Sequence, residues 1–361
     1  MKFSVNIYFG QQRERGVQEK AMITIRHVAD LAGVSIGTVS RFFHEPHRVR
    51  EDTRARIQQA VEALDYTPNI LAQNFRAGST GIVRVLASSM GDPFYGTVIE
   101  GIASVAARND YSVHVQPLLN GSFSNRDLRD IIQARQADGL LILGSQAPPL
   151  VHDSRTRQKV VQPKIVVCGE TSDPELLGFP RFQIDGFAAM QEVTDYLISL
   201  NHREIAYIGG TFGPIILSDR EAGFRASMAR AGLKVHEPHV ISDSFEMAGG
   251  RRAIQSILNS GTMPTAVVCA TDEMAFGAMA VLHSRGMSIP GDISITGMDD
   301  TRYADVSNPR LTTVAQPGRA IGEGAMLALL QAIRSGESAP RVEILPHQFI
   351  IRASTAPPPS R

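Results

Sequence analysis

Between Thr24 and Leu64, apolar residues recur at helical spacing in three short bursts. The first places Ile25, Val28, Ala29 and Ala32 at i, i+3, i+4 and i+7, with Thr24 in position to cap the helix. Gly33-Val34 interrupts it. Ser35 can cap a second helix running to Phe43, in which Val39, Phe42 and Phe43 face inward while Ile36, Gly37, Ser40 and Arg41 share another face. The third helix, over 51–64, buries Ile57, Ala60, Val61 and Leu64, and its acidic first turn complements the helix dipole. Residues 69–76 have fair helix propensity but are too few to persist as a helix alone. Gly78-Ser79-Thr80-Gly81 follows as a linker.

Beyond residue 81 the pattern changes to short continuous apolar runs alternating with helical segments. The runs at 82–88, 112–117, 139–144, 164–169, 204–209, 265–270 and 293–297 predict strands, and the periodicity at 97–108, 187–200, 220–231 and 273–285 predicts helices. Strands apolar on both faces, alternating with helices, imply parallel sheets covered on both sides. The segment is longer than one doubly wound sheet needs, so two similar α/β lobes with a cleft between them are expected. Ligands of open α/β sheets bind beyond the carboxyl ends of the strands.

Composition narrows the class. A chain of 361 residues, 43% hydrophobic and 20% charged, suits one small and one large globular domain, and it has no run of eighteen apolar residues. Cys168 and Cys269 each end an apolar run and read as buried thiols, which suits a reducing cytoplasm. Residues 1–21 lack the apolar core of an export signal and read as a disordered extension or a mis-assigned start, with Met22 opening the functional chain. The proline-rich residues 356–361 read as a disordered tail. Net charge is zero, and residues 22–81 hold seven Arg, no Lys and six acidic groups, so nucleic-acid binding must be argued from pattern and not from charge. Phosphate loops, His-Glu-x-x-His and Cys-x-x-Cys spacings are absent. Neither a catalytic set, a metal site nor a cofactor is expected, and the chain is read as no enzyme. A pure solute-binding protein and an α/β enzyme with an appended interaction domain are the competing classes.

The segment Ile23-Thr24-Ile25-Arg26-His27-Val28-Ala29-Asp30-Leu31-Ala32-Gly33-Val34-Ser35-Ile36-Gly37-Thr38-Val39-Ser40-Arg41 closely resembles the DNA-binding head of the lactose-repressor family. Tyr66-Thr67-Pro68-Asn69 matches the family's hinge entry. Ile184-Asp185, Asn201-His202-Arg203, Thr271-Asp272 and Gly297-Met298-Asp299-Asp300 match landmarks of its periplasmic-binding-protein-like core, and the match runs on through Ala315-Gln316-Pro317 to Thr355. Within the family the combination is most like the cytidine-repressor branch.

The resemblance implies a three-helix helix-turn-helix head plus hinge helix, then a two-lobed core of doubly wound parallel sheets. It implies a DNA-binding domain over 22–68, a hinge helix and linker over 69–80, and an effector-binding and dimerisation core over 81–355. The first lobe would comprise about 81–183 and 312–342, the second about 184–311 and 343–355. The function implied is a homodimeric repressor on a pseudo-palindromic operator, controlled by a nucleoside, a pentose or another sugar, with no membrane partner.

By family position Ile36, Gly37 and Arg41 read bases in the major groove, and Thr38 and Ser40 contact phosphate. Asn69 and Phe75 contact DNA from the hinge, where the family's leucine at the position of Phe75 wedges into a minor-groove base step. Phe94, Tyr95, Ser145, Asp185, Arg220, Phe245, Asp272 and Gln316 are the effector-binding candidates by the same carry-over. Core packing competes for Phe94 and Phe245, a structural salt bridge for Arg220, and helix capping for Asp272. Gln316, at the crossover between lobes, touches ligand or satisfies backbone.

Overall fold

The computed structural model describes residues 23–66, 79–117, 136–144, 164–171, 176–210, 218–336 and 340–360. Residues 1–22 and the candidates Asn69, Phe75 and Ser145 lie outside the described residues. Contacts divide the chain into two compact units, 1–76 and 77–361.

In the first unit three helices, α1 (Ile25–Ala32), α2 (Ile36–His44) and α3 (Glu51–Ala63), enclose a small core of Val28, Ala29, Ala32, Val39, Val49, Ile57 and Ala60. Val61, Leu64, Phe42 and Phe43 are partly buried against it. Ser35 caps α2, its hydroxyl accepting the Thr38 N–H at 3.1 Å. Gly33 closes α1 at φ +63, a left-handed conformation that a side chain resists. Arg56 on α3 donates to the carbonyls of Ala32 and Gly33 at the end of α1, so the third helix fixes the turn between the first two. Arg50 precedes α3 and makes no side-chain cap.

The second unit is built on two parallel sheets. In the first, the strands β1 (Ile82–Ala87), β2 (Ser112–Pro117), β3 (Gly139–Leu143), β4 (Ile165–Cys168), β5 (Arg181–Gln183) and β11 (Val342–Ile344) lie in the order β11-β5-β4-β3-β1-β2. Alternation along β3 sends Leu141 and Leu143 to a core closed by α4 (Pro93–Ala107) and α9 (Gly318–Ser335), and Leu140 and Ile142 to a second core with Leu176. The two helices meet backbone to backbone. A Cβ on Gly101 would stand 2.2 Å from the Arg319 carbonyl oxygen, and one on Gly322 2.0 Å from that of Val98.

In the second sheet β6 (Ile205–Gly210), β7 (Val240–Asp243), β8 (Ala266–Cys269) and β9 (Ser294–Thr296) lie in the order β7-β6-β8-β9. The helices α5 (Gly186–Ser199), α6 (Asp219–Arg230), α7 (Met247–Leu258) and α8 (Asp272–Ser284) pack with it around Tyr207, Phe224, Ile254 and Met274. A short ribbon of β10 (Thr313–Ala315) against β12 (Gln348–Ile350) continues this lobe through bridges at Thr296–Thr312 and Asp299–Ala315.

The chain therefore passes between lobes at about residues 184, 316 and 346. Thr313–Ala315 belongs to the second lobe and not to the first, because it pairs with β12, and Val342–Ile344 belongs to the first because it pairs with β5. Ala356, expected at the head of a disordered tail, is instead fixed: its carbonyl accepts from Ser294 and pairs with His202, and its N–H donates to Ser294. Cys168 and Cys269 are free, buried thiols.

Candidate functional site

The first candidate surface is the outer face of α2. Val39 is fully buried, and Phe42 and Phe43 meet edge to face at 5.1 Å on the inner side. Ile36, Gly37 and Arg41 are exposed, as the helical spacing predicts, whereas Ser40, expected on the same face, is half-buried, as is Thr38. The Thr38 hydroxyl sits 2.8 Å from that of Ser35, within the cap itself. Among the described residues no hydrogen bond or ion pair occupies the Arg41 guanidinium.

The second candidate lies at the carboxyl ends of the two sheets. After β1, Asp92 caps α4 by accepting the Phe94 N–H at 2.9 Å, and burial raises its carboxyl above the usual range against the opposing Phe94 bond and Arg220 charge. The next turn presents Phe94 and Tyr95, rings 5.9 Å apart. The Tyr95 hydroxyl accepts from Ser88 at 3.1 Å, and burial pushes it up to about 12.

From the second lobe, Arg220 stands in the first turn of α6. Its Nη1 donates to the Ala270 carbonyl at 2.5 Å, beyond β8, while Nε and Nη2 both reach Glu170 Oε2, at 2.6 and 2.5 Å, beyond β4 of the first lobe. One guanidinium thus ties the ends of strands from both lobes. Burial works against its charge, but Glu170 and Asp299 more than offset this and hold it above its ordinary value. Glu170 fits because residue 186 is glycine: a Cβ there would lie 1.6 Å from Glu170 Oε1.

Asp299 completes the arrangement. It is 6% exposed, holds φ +125, and accepts from Gln316 Nε2 at 2.7 Å. Burial, then the neighbouring Asp92 and Asp272 charges, raise its carboxyl well above the usual range, with Arg220 and Gln316 opposing. A left-handed backbone at a non-glycine residue costs of order 1–3 kcal/mol and persists where surroundings enforce it. A cavity of about 760 Å³, within the range of small-ligand sites, includes Asp92, Phe94, Asp299 and Gln316 in its lining but not Arg220 or Glu170.

Other sequence candidates fall differently. Asp272 is fully buried, its carboxylate accepting from the Thr301 N–H at 2.7 Å and the Thr313 hydroxyl at 2.6 Å. The cap of α8 is Thr271, which accepts from Met274 N–H. Asp185 is exposed and caps α5 through Ala188 N–H at 2.9 Å. The Phe245 ring fills the space over Gly210 at the end of β6. The Gln316 side-chain amide donates to Asp299 Oδ1 at 2.7 Å. Asp92 and Glu170 were not among the sequence candidates and Asp299 appeared only within a family landmark, although Glu170 directly follows the strand candidate 164–169.

The Asp272 environment has a measurable consequence. Burial pushes its carboxyl up to about 7, against the bonds from Thr313 and Thr301. The unfolded group titrates near 3.9, so from about pH 4 to 7 the folded chain binds the extra proton and stability falls as pH rises. Asp272→Asn keeps an acceptor for Thr301 and offers a donor to the Thr313 hydroxyl oxygen. Thermal midpoints across that window should decline less steeply in the variant than in the wild type, and parallel curves would refute the assignment.

Among the described residues no helix is long and apolar enough to cross a membrane, and no group of three His, Cys, Asp or Glu stands close enough to hold a metal. The model of bacterial regulatory proteins of the lacI family matches residues 24–69, and that of the periplasmic binding protein-like domain matches residues 194–355. The HTH-type transcriptional repressor CytR of Escherichia coli (strain K12) is 30% identical over 338 residues, 94% of this chain and 98% of its own. A transcriptional regulator CelR–cellobiose complex is 26% identical, with TM-score 0.67 over 92% of this chain and 99% of its own. The Lac repressor dimer bound to operator and the anti-inducer ONPF shares the fold, at 23% identity and TM-score 0.76 over the same shares.

A lacI-type helix-turn-helix in one chain with a periplasmic-binding-protein-like core defines a DNA-binding repressor with an effector-binding core, a class without enzymatic activity. The chain belongs to the LacI family of transcriptional regulators.

Proposed function

We propose that this chain acts as a homodimer on a pseudo-palindromic operator, and that a small sugar or nucleoside held between the lobes of its core controls its affinity for that operator. Arg41, Ile36 and Gly37 meet base edges, Thr38 and Ser40 meet phosphate, and Asn69 and Phe75 act at the minor groove between the two heads. In the core, Arg220, Phe94, Tyr95 and Gln316 surround the effector, joined by Ser145, Asp185 and Phe245. Asp272 acts from behind them by holding the Thr301 and Thr313 segments.

The observation that carries the reading is the interlobe bond of Arg220 to Glu170. A hydroxylated ligand entering there competes for the same guanidinium and changes how the lobes are joined, which couples occupancy to the spacing of the two heads in a dimer. CytR and the Lac repressor, by their names a transcriptional repressor and an operator-bound dimer, and CelR, which holds cellobiose, support it by likeness.

The test is fluorescence anisotropy of the full chain on DNA from upstream of its own gene, with nucleosides, pentoses, hexoses and polyols added in turn. One class should change operator affinity by about 5–150-fold, the span of ordinary allosteric coupling. Binding to operator and random DNA alike would refute the repressor, and specific binding indifferent to every compound would refute the effector class.

A further inference from the structure

Resting on the repressor reading, we propose that the Asp138 carboxylate anchors the chain where it enters the core from the DNA-binding head, and that specific operator affinity depends on this anchor. Residues 78–81 have the composition of a loose linker, yet 79–81 are held firmly. Asp138 stands just before β3, 57 to 59 residues further along the chain. Its Oδ1 accepts the Thr80 N–H at 2.7 Å, and its Oδ2 accepts the Gly81 N–H at 2.9 Å and the Ser79 hydroxyl. The segment also closes on itself. Ser79 Oγ accepts the Gly81 N–H at 3.2 Å, Thr80 Oγ1 accepts the Ile82 N–H at 3.1 Å, and Gly81 holds φ +67, a left-handed turn that a side chain resists.

The sheet does not need this carboxylate. The ladders of β1 with β2 and β3 fix the chain from Ile82 onward through backbone bonds, and what the Asp138 side chain adds falls on residues 79–81, upstream of them. Ser, Thr and Gly have little apolar surface to bury, so bonds to a charged acceptor, about twice as strong as neutral ones, are what hold the segment. Every residue of the head precedes this point in the chain. Residues already held need no further ordering when operator binds, whereas residues set loose must be ordered again, at on the order of tenfold in affinity for each. Random DNA, bound by phosphate contacts alone, makes no such demand. The effector candidates Phe94 and Tyr95 follow the opposite end of β1, so the anchor can be broken without touching them.

The experiment compares Asp138→Asn with the wild-type full chain by anisotropy on operator and on random DNA, by hydrogen–deuterium exchange of peptides spanning residues 79–82, and by thermal midpoint. Asparagine offers one oxygen where the carboxylate offers two and turns an NH2 toward the remaining donors, so the anchor opens. Operator affinity should fall about tenfold or more, random-DNA affinity should stay within about threefold, and the Thr80 and Gly81 amides should exchange faster than in the wild type. Ser79→Ala removes one donor, should weaken operator binding about fivefold, and makes the same comparison should the Asn variant fail to fold. With both substitutions in one chain the loss should match that of Asp138→Asn alone. A merely structural role would lower the thermal midpoint and leave the ratio of the two DNA affinities unmoved. That result overturns the proposal, as do Thr80 and Gly81 amides that exchange as fast in the wild type as in the variant. A wild type that prefers no DNA fragment overturns the repressor reading instead, and the exchange data still decide whether Asp138 holds the segment.

Discussion

Arg220→Met should abolish the response to effector, lower the stability of the core by about 3 kcal/mol and, because the interlobe bond is gone, shift operator affinity without effector toward that of the effector-bound wild type. The arginine and Glu170 side chains are 15% and 16% exposed, and removing one partner of a largely buried pair leaves an uncompensated charge. Such changes cost about 3–5 kcal/mol, with the residual exposure favouring the lower end. The Glu170→Met/Arg220→Met double variant separates stability from function. Exchanging both charges for apolar groups is often neutral or stabilising, so its thermal midpoint should return close to that of the wild type while effector binding stays lost. If the double variant regains the effector response, Arg220 only supports the fold.

Arg41→Ala should weaken operator binding by about 1–3 kcal/mol, or roughly 5–150-fold, and binding to random DNA far less. The side chain stands exposed in α2 behind a cap that rigidifies its first turn, so its loss leaves the core of Val28, Val39 and Ile57 intact. Anisotropy titrations on both DNAs at several salt concentrations distinguish the roles. A base contact changes the ratio of the two affinities. A phosphate contact lowers both and reduces the salt slope by about one ion.

What could be read from the sequence was local. The Ser35 cap, the break at Gly33 and the outward face of α2 depend on residues within one or two turns, and all three appear as the spacing predicts. Continuous apolar runs such as Leu140–Leu143 gave away the buried strands. By contrast α9 carries Gly318, Gly322 and Gly324, which weaken a helical signal, and the need for Gly322 comes from Val98 on α4, far away in the chain. The three-residue strands β5, β10, β11 and β12 are too short to show a period. In the cleft, Arg220 was reached through its family position. A carboxylate after a strand reads like any solvated loop acid, and only the tertiary fold buries Glu170 against Gly186 and Asp299 beside Gln316.

The interrupted first lobe bears on how the protein is made. Its sheet and α4 are translated early, yet α9, which closes one face of that sheet, and β11, which ends it, are among the last segments to leave the ribosome. Domains fold as units once their whole sequence is available, at roughly 5–20 residues per second of synthesis. The three-helix unit, closed by contacts between neighbours in the chain, is complete almost at once. The first lobe must wait through the synthesis of the entire second lobe with Val83, Val85 and Leu141 covered by α4 alone. A chain truncated before Gly318 would keep its DNA-reading head and lose its sensor, and that nascent apolar face is where a chaperone would bind.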